Sequence, residues 1–174
     1  MKGSLVAFGV FSLVILAGSR GSTAPTRALP VAAGAETSAP SMAIVPFKGS
    51  FEGSQTVTPG TPPFASVEMH AEGTGTLVGQ FEIALPHTVN FATASASGTG
   101  TIVAADGSRI VASFTGQAQI GPIVTIVEEA TVIGGTRRFA DAAGSFTIRR
   151  TYDPETGRTT GSFEGTLQLG GQPF

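Results

Sequence analysis

Two adjacent like-charged pairs, Glu128-Glu129 and Arg149-Arg150, interrupt runs whose β-branched and apolar composition predicts strands. Consecutive residues of a strand point to opposite faces, so one carboxylate and one guanidinium are expected to face inward unless a bulge intervenes. A carboxylate in an apolar interior needs a partner or a raised pKa, and an inward Arg on a neighbouring strand would supply that partner. Tyr152 shares the phase of Arg150. A charged group of this kind in an apolar pocket orients a ligand or stabilises developing charge. The same residues could instead form an interior ion pair, or a rim salt bridge, that only sets strand register. Glu128, Arg150 and Tyr152 are the candidate catalytic or binding residues, and which of Glu128 and Glu129 faces inward stays open.

Other constellations offer less. The only histidines, His70 and His87, would make a metal site only if carboxylates such as Glu68 or Glu72 converged with them. A His between acids on the polar phase of a strand reads more simply as a solvated surface residue, and no metal is expected. Arg137-Arg138 and Asp141 read as a solvated loop group. With no Cys in 174 residues, disulfides, Cys-ligated metals, iron–sulfur clusters, attached haem and thiol nucleophiles are excluded. No Gly-x-Ser-x-Gly elbow, Walker loop or Rossmann fingerprint appears, so no cofactor is expected. A formal net charge of -2 provides no basic footprint for nucleic acid.

The elements that must position these residues read as strands throughout. From Pro46 onward the apolar period is two, and no stretch at 3.6 spacing is long enough for a helix. Strand one carries Phe47, Gly49, Phe51 and Gly53 and ends at Thr58-Pro59-Gly60; strand two carries Val67, Met69 and Ala71; strand three runs from Phe81 to Leu85, where Pro86 stops it. Strand four is expected from Val89 to Ala104, closing at the hairpin signal Asp106-Gly107, and strand five carries Ile110, Ala112 and Phe114 up to Gly121-Pro122. Ile123 to Ile133 is apolar on both phases, so strand six is expected to be covered on both faces. Thr136 to Ala143 reads as a loop or one helical turn. Strand seven carries Phe146, Ile148, Arg150 and Tyr152, and strand eight carries Phe163, Leu167 and Leu169 after the turn Asp153-Pro154-Glu155-Thr156-Gly157. Eight sequential antiparallel strands predict an all-β fold, an eight-stranded antiparallel up-and-down barrel, because closure removes exposed edges. Interior glycines such as Gly73, Gly98 and Gly116 favour that closure. Ser50-Phe51-Glu52-Gly53 recurs as Ser162-Phe163-Glu164-Gly165, which fits pairing of the first and last strands across a seam.

The N-terminus reads as an address. A basic Lys2, an uncharged stretch from Leu5 to Ala17 that is too short to span a bilayer, and the small residues Ala17-Gly18-Ser19 make residues 1–19 a secretory signal. Residues 20–43, rich in Ala, Pro, Ser and Thr, read as a flexible linker, leaving 44–174 as a single domain with a net charge of -4. A secreted or periplasmic location in a bacterial envelope is expected, with no stable membrane insertion after cleavage.

Val132-Ile133-Gly134-Gly135-Thr136-Arg137-Arg138-Phe139-Ala140-Asp141-Ala142-Ala143-Gly144 resembles the Gly-Gly-Thr-Gly-x-Phe…Ala-x-Gly segment of the superfamily joining plant dirigent proteins and allene oxide cyclases. It also resembles uncharacterised secreted bacterial proteins in which Glu128 and the Asp153-Pro154-x-Thr156-Gly157 turn recur. The resemblance implies an eight-stranded barrel, often trimeric, whose apolar cavity confines a reactive small molecule, with a carboxylate and ordered water assisting in the cyclases. Two functions follow as expectations. One is a secreted barrel that binds a small apolar molecule, extending to an isomerase acting by confinement, with Glu128, Arg150 and Tyr152 at its polar end. The other is a non-catalytic envelope module whose barrel is filled by Phe51, Phe114, Phe146 and Phe163. An interior cavity of about 300 Å³ or more separates them.

Overall fold

The computed structural model describes residues 42–170; the predicted signal and all but the last two residues of the predicted linker lie outside the described residues. Nine strands follow the period-two pattern: β1 (Ala43–Pro59), β2 (Phe64–Gly75), β3 (Gly79–Ala84), β4 (His87–Asn90), β5 (Ser95–Ala104), β6 (Arg109–Gln119), β7 (Val124–Thr136), β8 (Ala143–Tyr152) and β9 (Arg158–Leu169). Every pairing is antiparallel, and β1 pairs with both β2 and β9, which closes the sheet. The seam register sets Ser50 opposite Ser162, Phe51 opposite Gly161 and Gly49 opposite Phe163, so the strands carrying the repeated tetrapeptides pair and the tetrapeptides themselves meet at their first residues.

Nine segments make eight wall positions. Both β3 and β4 lie between β2 and β5, β3 along His70–Gly75 and β4 along Phe64–Val67 of β2. Pro86 has no N–H to give the ladder, yet the Leu85 N–H still reaches the Met69 carbonyl at 2.9 Å, so the two pieces run on as one interrupted strand. The expected continuous strand from Val89 to Ala104 is corrected here: it is β4, a turn at residues 91–94, and β5, paired with one another. Asn90 causes the reversal, its Oδ1 accepting the Ala92 N–H at 2.9 Å in an Asx turn. The eight-stranded expectation holds because one predicted strand splits and its first half joins its predecessor.

Cover on both faces of β7 is also corrected. Ile126, Glu128, Ala130 and Val132 point into the barrel, while Thr125, Glu129 and Thr131 face solvent and Ile133 is 59% exposed beside a register shift in β6–β7. Inside, Phe47, Phe81, Phe146 and Phe163 interlock, with ring centroids 4.6 to 5.7 Å apart between Phe163 and the other three. A short 3-10 helix, Arg137–Phe139, closes the same end of the barrel by burying Phe139, as the expected helical turn. Arg138 spans from the Phe139 ring to Asp106, 3.0 Å from its carboxylate, and Arg137 donates to the Asp106 carbonyl. The loop basic pair is therefore tied to the β5–β6 turn, and Asp141 is not its partner.

Candidate functional site

Away from the phenylalanine cluster the inward face turns polar. Glu128 on β7 is 0% exposed and Arg150 on β8 is 2% exposed. Their strands are direct neighbours, with Ile126 opposite Arg150 and Glu128 opposite Ile148, so the two side chains meet diagonally inside the wall. Arg150 Nε donates to Glu128 Oε2 at 3.0 Å and Nη2 donates to Oε1 at 2.8 Å, a bidentate pair. Two glycines make room for it. A Cβ on Gly116 would lie 2.5 Å from Glu128 Cγ, and one on Gly161 would lie 2.7 Å from Arg150 Cβ. Glu129 and Arg149 face out, and Glu129 accepts from the Thr147 hydroxyl at 3.0 Å. The inward carboxylate is thus Glu128.

Two further residues join the pair. Arg150 Nη1 donates to Gln55 Oε1 at 2.5 Å, and Nη2 lies 3.5 Å from His87 Nε2. His87 Nδ1 is 2.8 Å from the Leu85 carbonyl, which can only accept, so Nδ1 carries the proton and Nε2 is the bare nitrogen. Burial holds the His87 pKa below 6.5 and the nearby Arg150 charge lowers it further, against the Leu85 hydrogen bond and the carboxylates of Glu128 and Glu68. The cluster is therefore electrically neutral: one guanidinium, one carboxylate, one amide and one uncharged imidazole.

Sequence reasoning placed Glu128 and Arg150 together but missed Gln55 and His87. Gln55 carried a signal, since it occupies the inward phase of β1 among Phe47, Phe51 and Val57, where a polar residue is out of pattern. His87 follows Pro86, and its phase was legible only once β4 was recognised as a separate strand. His70 faces the outside of β2, so the barrel wall separates the two histidines. Tyr152 does share the phase of Arg150, half-buried near the barrel end, and takes no part in the network's hydrogen bonds.

Beyond the network, Val57, Val89, Ala96, Ala118, Val124 and Tyr152 form an inward lining that is only half-buried. The turns at this end expose Phe64, Phe91, Ile120 and Ile123. At this end the inward side chains beyond the ion pair are apolar and half-buried, whereas at the other end Phe139 is buried. Two further concavities lie on the outer surface. One of about 1760 Å³ is bordered by Glu52, His70, Glu72 and Arg149, and one of about 550 Å³ by Phe64, Thr115, Val127 and Glu129.

His87 gives the site a pH signature. Unfolded, its imidazole takes up a proton below about 6.5; folded, it resists that proton, so stability is unaffected well above this value and falls as pH drops through it. Below about pH 6.5 and above the lowered pKa of the folded state, stability is expected to fall with pH, by at most about 1.4 kcal/mol per pH unit for this one proton. Urea titrations of the native protein and of His87→Gln across that range check this, the difference in slope vanishing if His87 protonates freely in the folded state.

The chain is a closed antiparallel barrel of eight strand positions with phenylalanines packed toward one end and a buried polar cluster toward the other. Its fold is that of the dirigent-like barrels. The solved pterocarpan synthase dirigent protein GePTS1 is 16% identical, with a TM-score of 0.56 over 75% of this chain and 90% of that one. The pterocarpan synthase dirigent protein PsPTS1 is 13% identical, with a TM-score of 0.55 over 75% of this chain and 97% of that one. No protein-family model matches the sequence. No curated protein matches it either. Among the described residues no helix is long and apolar enough to cross a membrane.

Proposed function

We propose that this chain is a secreted barrel that binds a small apolar molecule through the mouth above Arg150 and directs its reaction by confinement, as an isomerase or cyclase needing no cofactor. The observation that carries this reading is the fully buried ion pair. Replacing such a pair by well-packed apolar residues is often neutral or stabilising, so folding alone does not call for it, whereas a ligand-orienting floor does. Its position beneath half-buried apolar side chains, and not within the phenylalanine cluster, supports the same reading. The likeness in fold to two pterocarpan synthase dirigent proteins is in keeping with a reaction-directing barrel. Glu128 and Arg150 would set the electrostatics of the floor and Tyr152 would bound the mouth. Because both Glu128 oxygens are engaged by Arg150, the carboxylate would act through the field of the pair more than as a free base.

A filled structural module is the second reading, favoured by one observation. Phe51, Phe114, Phe146 and Phe163 are all buried in the core, and the two surface concavities lie outside the barrel. Native mass spectrometry of the purified protein against a panel of apolar small molecules separates the two. A bound mass that disappears in Ala118→Phe, a substitution that fills the mouth, is expected for the binding barrel. A clean apo mass throughout, or binding indifferent to Ala118→Phe, would favour the filled module.

A further inference from the structure

The floor of the mouth has an internal logic that points to the kind of ligand it takes. Arginine carries only donors, so the Gln55 atom facing Arg150 Nη1 must be its carbonyl oxygen. That assignment follows from the partner's chemistry and needs no view of the hydrogens. Gln55 Nε2 is then left with two N–H donors. Gln55 is 8% exposed, and among the described residues no acceptor meets Nε2, yet no sealed, unsatisfied polar side-chain atom exists there. Nε2 therefore reaches solvent from the inward phase of β1, a donor with no acceptor among the described residues. The other members are spoken for: Arg150 by Glu128 and Gln55, Glu128 by Arg150, and His87 Nε2 directed at Arg150.

The charge of the floor bears on the same question. A carboxylate brought to this mouth would lose water and find no unpaired cation, because the only guanidinium in the cluster is neutralised by Glu128 at 2.8 Å. A neutral oxygen acceptor loses far less on leaving water and meets the free amide donor.

We propose that Gln55 is the ligand-recognising residue and that the site takes a neutral apolar molecule bearing a hydrogen-bond-accepting oxygen, such as a ketone, ester or ether, in preference to a carboxylate. This rests on the barrel being a binding site, as argued above. Methyl nonyl ketone and undecanoate serve as paired probes of equal chain length, titrated into the full chain and followed by calorimetry. Emission of Tyr152, the only Tyr in a chain without Trp, gives a second readout at the mouth. The ketone is expected to bind about tenfold more tightly than undecanoate, the increment of roughly one good hydrogen bond together with the absent cation.

In Gln55→Glu the acceptor toward Arg150 is kept and the donor removed, so ketone affinity should fall about tenfold. Gln55→Leu, which removes both, should show the same loss while circular dichroism reports an intact barrel, so the result does not hang on one variant. Undecanoate binding as tightly as the ketone, or ketone binding unchanged in a folded Gln55 variant, would overturn the assignment and leave the binding barrel standing. Failure of both probes to bind the native protein would overturn the binding barrel itself.

Discussion

Arg150→Met is expected to destabilise the protein by about 3–5 kcal/mol, because it leaves the Glu128 carboxylate fully buried with no cation beside it. Native domains hold only about 5–15 kcal/mol in total, so this variant should sit near its unfolding transition at ambient temperature. The companion Glu128→Leu/Arg150→Met replaces both charges with apolar side chains and should recover most of the loss or exceed the native stability. Urea denaturation of the native protein and both variants checks the pattern. An Arg150→Met variant within about 1 kcal/mol of native would mean that solvent reaches the pair, contrary to its burial. A recovered but ligand-blind double variant would separate the pair's part in binding from its part in folding.

Phe163→Ala should cost a similar amount for a different reason. The Phe163 ring touches three other rings and occupies space left by Gly49, whose absent Cβ would lie 2.6 Å from Phe163 Cζ. Truncation removes the ring's burial and leaves a cavity that glycine-lined walls cannot refill, for a loss of about 3–5 kcal/mol. The same truncation at Phe91, exposed at the mouth, should stay within about 0.5 kcal/mol. Equal effects at the two positions would contradict a phenylalanine-filled closed end. Because a dry apolar cavity takes up small apolar solutes, stabilisation of Phe163→Ala by benzene or xenon would locate the void independently.

Much of this was legible in the sequence because strands alternate strictly. The period of two puts Phe47, Phe51, Phe146, Phe163, Glu128, Arg150 and Tyr152 on phases that the structure keeps, and the matching tetrapeptides of β1 and β9 foretell the seam. Alternation fixes which residues share a face but is silent on which face is the interior. Glu128 and Glu129 could therefore be told apart only by closure of the barrel, which seals one side of β7 and wets the other. The same limit hid the reversal at Asn90, because an apolar period survives a tight turn and the Asx bond that makes the turn is a local hydrogen bond, without a hydropathic signature.

Composition and periodicity by themselves determined an all-β chain with eight wall positions, free of thiol chemistry, with one carboxylate of Glu128-Glu129 and one guanidinium of Arg149-Arg150 on the same phases as the core. Tertiary structure alone decided that Gln55 and His87 join Arg150, since Gln55 lies 95 residues from it in the chain and His87 lies 63. The Gln55 contact spans β9 and the His87 contact crosses the barrel, and both depend on strand stagger and on glycine gaps such as Gly116 and Gly161 that let side chains pass. Stagger is a property of the closed sheet as a whole, so no single strand's sequence carries it.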